Sequence, residues 1–499
     1  MTYSFQPFLD ALGENWYDDD PLLRTLLAHH AGPGAADEEE LGAWGGEVAG
    51  PLRELAEASA RPENRPRLRR WDAYGRRVDR IELPASTRRA LAEVLGRRGM
   101  GAVHGDPHVF YARAYLYAQN GESGVVCSMA CTDGLVRALE ALGDRPVHRR
   151  ALERVRSSGP ERVWHGAQFV TEIQGGSDVP ANRARARPDG DAYRVDGRKW
   201  FCSNVNADFF LVTARPGGEG DEPGPVGLFL VPARLDESPG ERNGHTIDRL
   251  KEKLGTRELA TAEVTFRGAR AWPVGPLERG LPNLLAHVLV TSRFHCVYWA
   301  ASALRRAERI AAAYAGFRRA FGAPIADYPL VEEALGRIRG ARRRALAATF
   351  GLLSLWEEAR ESDESGADFR VLLSLAKPVL TRRATEGLHE AMAILGGNGI
   401  EERFSPLPRL WRDAAIMETW EGPHNVLFTQ ALRDLERLGI EPGGFLERVA
   451  GEGGAGLVDE LAGLLARSDE EDVTVPFARL APRIVDAFAE RVLEEAGAG

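Results

Sequence analysis

The sequence predicts an α+β chain of several parts: a helical N-terminal region, a middle β-barrel or sandwich, a C-terminal helical bundle and a helical tail. Three observations carry this. Before about residue 165, apolar residues recur at helical spacing. From about 166 to 274 the chain switches to short β-prone runs broken by turn residues. After Pro282 long alanine- and leucine-rich stretches return with few breakers. The expected boundaries are 1–165, 166–274, 275–435 and 436–499.

In the N-terminal part, Leu22-Leu23 and Leu26-Leu27 lie on one helical face, and Pro84 precedes a second periodic run from Thr87 to Leu95. The segment Trp71 to Leu83 mixes aromatic and charged residues and is expected to cover another surface. His104-Gly-Asp-Pro-His108 has two imidazoles but no further ligands nearby, so it reads as a turn on Gly105-Asp106-Pro107 and no metal is expected.

The middle part holds Tyr193 to Phe201, where Asp196-Gly197 signals a hairpin turn. Phe209 to Ala214, Val226 to Val231 and Ala262 to Phe266 are further short strands. Pro216 to Pro225 is expected to be a mobile connection. Short strands in succession suit a small barrel or sandwich better than a parallel sheet with crossover helices.

Leu284 to Ala315, Val331 to Glu358 and Phe369 to Leu395 are three long helices with no strand between them, hence a bundle. Arg337 to Arg344 reads as the solvated face of one of them. From Glu436 onward there are 14 Asp/Glu against 6 Arg and no Lys, a net of -8 by subtraction.

The 499 residues allow several domains, and 44% hydrophobic content suffices for a large core. A net charge of -9 argues against a general nucleic-acid partner. Cys127, Cys131, Cys202 and Cys296 form no metal-ligand or CxxC pattern, which fits a reduced, cytoplasmic protein. Met1 to Asp20 lacks the plan of a signal peptide, and no apolar run reaches membrane-spanning length.

Two stretches carry chemistry. Phe169-Val-Thr-Glu-Ile-Gln-Gly-Gly-Ser-Asp178 offers backbone N–H groups and hydroxyls suited to pyrophosphate oxygens, although it is no GxGxxG and precedes strands. Trp420-Glu421-Gly422 places a carboxylate beside a large aromatic and a glycine. Apolar neighbours suit such a carboxylate to proton abstraction.

These two stretches, with Lys199-Trp-Phe-Cys-Ser-Asn204, Lys253-Leu-Gly-Thr-Arg257, Arg318-Arg-Ala-Phe-Gly322 and Leu395-Gly-Gly-Asn-Gly399, occur in one order across residues 70 to 435. That order resembles the acyl-CoA dehydrogenase family of flavoproteins, in its AidB-like branch. The resemblance implies an N-terminal helical domain, a middle β-domain and a C-terminal four-helix bundle, with FAD between the last two. It implies that Val170 and Thr171 meet the flavin, that Ser177 reaches the pyrophosphate with Gly176 also binding the cofactor, and that Phe201 and Ser203 face the isoalloxazine ring. Trp420 and Asn425 are grouped with the cofactor. Arg318, Phe321, Gly396 and Gly397 would close over the FAD of a neighbouring subunit in a homotetramer. Glu421 aligns with the catalytic base and Arg293 with a substrate residue. Some relatives carry the base just before the position of Arg293, where this chain has Ser292.

The implied reaction is α,β-desaturation of an acyl thioester carried by CoA or a carrier protein, with an electron-transfer flavoprotein as partner. Ala393, Val290 and Pro423 depart from the residues usual at their positions, and Val290 replaces an Asp that contacts the CoA arm. Alternatives on the same fold are an oxygen-using oxidase or monooxygenase, and a DNA-associated alkylation-response flavoprotein with little turnover. The acidic tail argues against carrying over the basic DNA-contacting region of AidB-like relatives.

Overall fold

The computed structural model describes every residue except 1, 2, 33, 35, 36, 104, 218–223, 239, 469 and 470. The mobile connection expected at 216–225 therefore falls mostly outside the described residues, as does His104. The chain divides into two compact units, one of residues 1–54, 105–121 and 293–499, the other of 55–104 and 122–292.

The second unit is built on strands β3 (Gly166–Phe169), β4 (Arg185–Asp189), β5 (Ala192–Ser203), β6 (Phe209–Pro216), β7 (Gly227–Pro232), β8 (His245–Leu250) and β9 (Thr261–Pro273). β6 pairs with β4, β4 with β5, β5 with β9, β9 with β7, and β7 with β6 again, which closes a barrel. β3 adds to β6 and β8 to β9. Phe169, Phe210, Phe229 and Phe266 fill the core with Val212, Val231 and Val264. Each buried ring contributes ~1.5–3 kcal/mol.

The hairpin expected at Asp196-Gly197 is not there. β5 runs straight through both residues, and the turn lies earlier, at Gly190 (φ 65), between β4 and β5. Gly197 is instead a bulge opposite β9, with φ 141. A Cβ on it would lie 2.7 Å from the Cβ of Ala184, so glycine is required for close strand approach.

The Trp71 segment also departs from the all-helical expectation for residues 1–165. β1 (Arg67–Trp71) and β2 (Arg77–Glu82) form an antiparallel hairpin. Leu68 and Ile81 pack on the barrel core, and Asp79 Oδ2 accepts from Ile247 N–H at 3.0 Å. The turn holds because Asp72 Oδ1 accepts from Tyr74 N–H at 2.8 Å and Arg76 N–H at 2.9 Å.

The first unit carries the long helices. The helices Pro329–Glu358 and Asp363–Leu395 pack against each other, the second starting at the Ser362 cap and ending at Gly396, φ 61. The helix Val290–Phe317 begins in one unit and continues into the other. Asp106 caps the helix Pro107–Ala118, accepting from the main-chain N–H of His108 and Val109, which makes Gly105-Asp106-Pro107 the expected turn. The tail is integral to this unit. Its last helix, Thr474–Glu495, lies on Pro329–Glu358, where Gly351 leaves room for Phe488 and Val492.

Candidate active site

In the β unit, the loop after β3 is anchored from beneath by a buried ion pair. Lys199 Nζ donates to Glu172 Oε1 (2.8 Å), Thr213 Oγ1 (3.0 Å) and Val170 O (3.2 Å). Glu172 also accepts from the main-chain N–H of Arg183 (2.7 Å) and Ala184 (3.1 Å). Burial alone would raise the Glu172 carboxyl, but Lys199 and these N–H donors hold it below the usual range. The loop's upper face is thus fixed: Val170 and Thr171 are half-buried and Ser177 is exposed. A Cβ on Gly176 would fall 2.5 Å from Thr171 Oγ1, so only glycine leaves this concavity open.

Phe201 and Ser203 share one face of β5. Phe201 is 51% exposed for so large a ring, and Ser203 Oγ lies 3.2 Å from Thr261 Oγ1, which accepts from Lys253 Nζ at 2.9 Å. An exposed ring, a hydroxyl and an open glycine cradle within one unit fit a planar cofactor with a phosphate tail.

In the helical unit, Glu421 sits half-buried on the turn between the helices Leu407–Met417 and His424–Arg437. Its φ is 57, and that of Gly422 is 108. A non-glycine residue in this region is uncommon and persists only where its surroundings hold it. Arg293 Nε donates to Glu421 O at 3.0 Å, and its Nη2 donates to Gln430 Oε1 at 3.0 Å. Lys377 Nζ donates to Gly422 O at 2.8 Å and Glu418 O at 3.2 Å. Trp420 packs against Trp299, ring centroids 6.2 Å apart. Asn425, exposed, lies one turn on. Ser292 Oγ donates to Val288 O at 2.8 Å, a helix-internal bond.

The remaining expected residues share this unit but not the Glu421 turn. Arg318 is exposed and donates to Tyr3 Oη at 3.2 Å. Phe321 (φ 51) and Gly322 (φ 96) form the two-residue turn between β10 (Arg319–Ala320) and β11 (Ala323–Pro324), leaving the Phe321 ring 99% exposed. Gly396 and Gly397 are exposed at the end of their helix. Lys377, Gln430 and Glu172 hold the site yet had been given no role; the signal for Lys377 was a lone charge inside the apolar run Leu372 to Leu380.

Arg337, Arg342 and Arg344 do not make a free basic face. They meet Glu333 and Glu390, Asp20, and Glu490 respectively. Among the described residues no cluster could hold a metal, and no helix is long and apolar enough to cross a membrane.

Residues 167–269 match the acyl-CoA dehydrogenase middle domain and 278–435 the acyl-CoA dehydrogenase C-terminal domain. The chain therefore belongs to the acyl-CoA dehydrogenase family and is an FAD-dependent oxidoreductase of that type. Within the family it is AidB-like. Residues 9–158 match the N-terminal domain of the adaptive response protein AidB. The putative acyl-CoA dehydrogenase AidB of Escherichia coli is 32% identical over 75% of this chain and 70% of its own length. The structure titled Bd2924 apo-form is 29% identical, covers 97% of this chain and 98% of its own, and superposes with a TM-score of 0.88. Caenorhabditis elegans ACDH-11 in complex with C11-CoA is 27% identical, covers 97% and 88%, with a TM-score of 0.83.

Proposed function

We propose that the chain desaturates an acyl thioester, with Glu421 removing the α-proton. The observation that carries this reading is the Glu421 turn, a carboxylate on a left-handed backbone whose carbonyls are held by two buried cations. An α-C–H is a weak acid, so its base must be held in one alignment and kept from water. Trp420 and Trp299 supply the apolar wall. FAD would supply the acceptor for the β-hydride, and Val170, Thr171, Gly176, Ser177, Phe201, Ser203, Trp420 and Asn425 are the residues of this chain that would hold it. The C11-CoA in the ACDH-11 structure supports an acyl-CoA as substrate, and Arg293, which bonds Glu421 O, is the residue assigned to it.

Arg318, Phe321, Gly396 and Gly397 serve the FAD of a neighbouring subunit in a homotetramer, and an electron-transfer flavoprotein removes the electrons. The fully exposed Phe321 ring supports this. Four buried cysteines without a disulfide or metal-ligand pattern support a cytoplasmic location.

The experiment is Glu421→Gln, which keeps size but cannot take the proton. Flavin content should be unchanged, while anaerobic flavin reduction by a thioester that the wild type reduces should fall at least about a hundredfold. An undiminished rate would overturn the assignment.

A further inference from the structure

We propose that Lys377 is the positioning residue of the base: its ammonium, with the Arg293 guanidinium, fixes the turn that presents Glu421. The inference rests on Glu421 being the base.

Lys377 projects from the middle of the helix Asp363–Leu395 and is fully buried. Burying an ammonium is costly, and such groups normally meet a carboxylate. This one spends its two recorded hydrogen bonds on main-chain carbonyls, those of Glu418 and Gly422. Arg293, also buried, takes the carbonyl between them, that of Glu421. Three carbonyls of one five-residue turn thus converge on two cations. Glu418 is the C-cap of the helix Leu407–Met417, so Lys377 also lies at the negative end of that helix dipole.

The turn needs this support. A left-handed non-glycine residue costs ~1–2 kcal/mol, and persists only where its surroundings over-determine it. Gly422 is pinned as well, since a Cβ there would lie 2.8 Å from Leu427 Cδ2.

The charges around Lys377 come from each element packed on it. Arg293 and Cys296 face it from the helix Val290–Phe317, Glu418 and Glu421 from the turn, and His424 from the helix His424–Arg437. Burial lowers the ammonium to about 8, while Cys296 and Glu421 support its charge. Burial, followed by Lys377 itself, brings His424 down to about 4, so His424 is neutral at neutral pH. The attraction between Lys377 and Glu421 is reciprocal: each favours the charged form of the other.

The test uses the FAD-loaded full chain. Lys377→Met removes charge and donors at similar length, Lys377→Gln keeps one donor group without charge, and Lys377→Arg keeps the charge. The readouts are flavin content, the thioester Kd, and the limiting rate of anaerobic flavin reduction from about pH 5 to about pH 9. Proton abstraction is read separately with a thioester bearing sulfur at the β-position, which can lose an α-proton but has no β-hydride to give. Its enolate would show as a long-wavelength band against the flavin.

Lys377→Met should keep flavin, bind thioester within about twofold of wild type, and lose about tenfold to a hundredfold in limiting rate. Its acid limb should move to higher pH, the enolate band should weaken, and Lys377→Arg should recover most of the rate. A Lys377→Met or Lys377→Gln enzyme with the wild-type rate and acid limb overturns the proposal. So does a rate that falls only in step with lost flavin, because that is packing alone. Failure of the base assignment is distinct: Glu421→Gln would then reduce its flavin at the wild-type rate.

Discussion

Lys199→Met probes the support under the cofactor loop. The substitution keeps the buried stem and removes the ammonium that bonds Glu172, Thr213 and Val170. Glu172 remains buried with a reduced set of donors: the N–H groups of Arg183 and Ala184, and Gln174 Nε2 at 3.0 Å. Removing one partner of a buried pair costs ~3–5 kcal/mol, and the three surviving donors place this case at about 3 kcal/mol. In a unit of this size each kcal/mol moves Tm by ~2–4 °C, so the expected drop is about 6–12 °C near neutral pH. Circular dichroism melts with flavin release followed in parallel would measure it. The pH dependence gives a second check. Burial raises the Glu172 carboxyl, but Lys199 together with the Arg183 N–H and Gln174 holds it below its usual range in the folded state. Its stabilisation is therefore present above the unfolded value of about 4.3 and is lost as pH falls through the lower folded value. Without Lys199 burial dominates and the carboxyl rises, so the deficit of the variant should narrow in acid. A variant melting within about 1 °C of wild type near pH 7, with flavin retained, would refute this account.

Gly197→Val should cost at least about 2 kcal/mol in urea unfolding, because φ is 141 and the added Cβ meets Ala184 at 2.7 Å. Gly176→Ala should leave the melt nearly unchanged yet lower flavin occupancy on dilution, since its Cβ presses on Thr171 Oγ1. Gly351→Leu would drive atoms into Phe488 and Val492, which lie within 2.7 Å of a mere Cβ; tryptic cleavage at Arg479 and Arg483 should accelerate several-fold, and an unchanged digest would count against docking of the last helix. Phe321→Ser should lower the mass seen by light scattering and release flavin with it, whereas an intact, fully loaded tetramer would dissociate Phe321 from assembly.

The fold was legible where periodicity is strong. The helix expected from Phe369 to Leu395 reads from its apolar spacing, and the structure extends it back to Asp363 behind the Ser362 cap; Gly396 stops it as a left-handed residue should. Asp196-Gly197 misled because the same dipeptide serves a turn and a bulge; only contact of Gly197 with Ala184, thirteen residues away across β4, decides between them. The β1–β2 hairpin was hidden because its outward face is dense with arginine, and only Leu68 and Ile81 turn toward the barrel. At the candidate site, Glu421 was singled out by the order of motifs across the chain more than by its neighbours Trp420 and Gly422. Its supports were not: Lys377 acts through carbonyls 41 to 45 residues distant, and a main-chain acceptor leaves no trace in side-chain identity.

Charge was misleading when taken segment by segment. The tail reads as an acidic helical segment and Arg337 to Arg344 as a solvated helix face. The end of that face meets the tail. Arg344 Nε bonds Glu490 Oε1 at 2.6 Å, and Arg343 reaches the carbonyl of Ala498. From the next long helix Arg383 takes Asp486 in a two-pronged bond at 2.6 and 2.9 Å. A forked guanidinium–carboxylate pair fixes orientation as well as adding attraction. The apolar insertion of Phe488 and Val492 beside Gly351 fixes the depth of packing. An acidic helix that pairs with arginines of the bundle makes those arginines less available to a phosphate backbone.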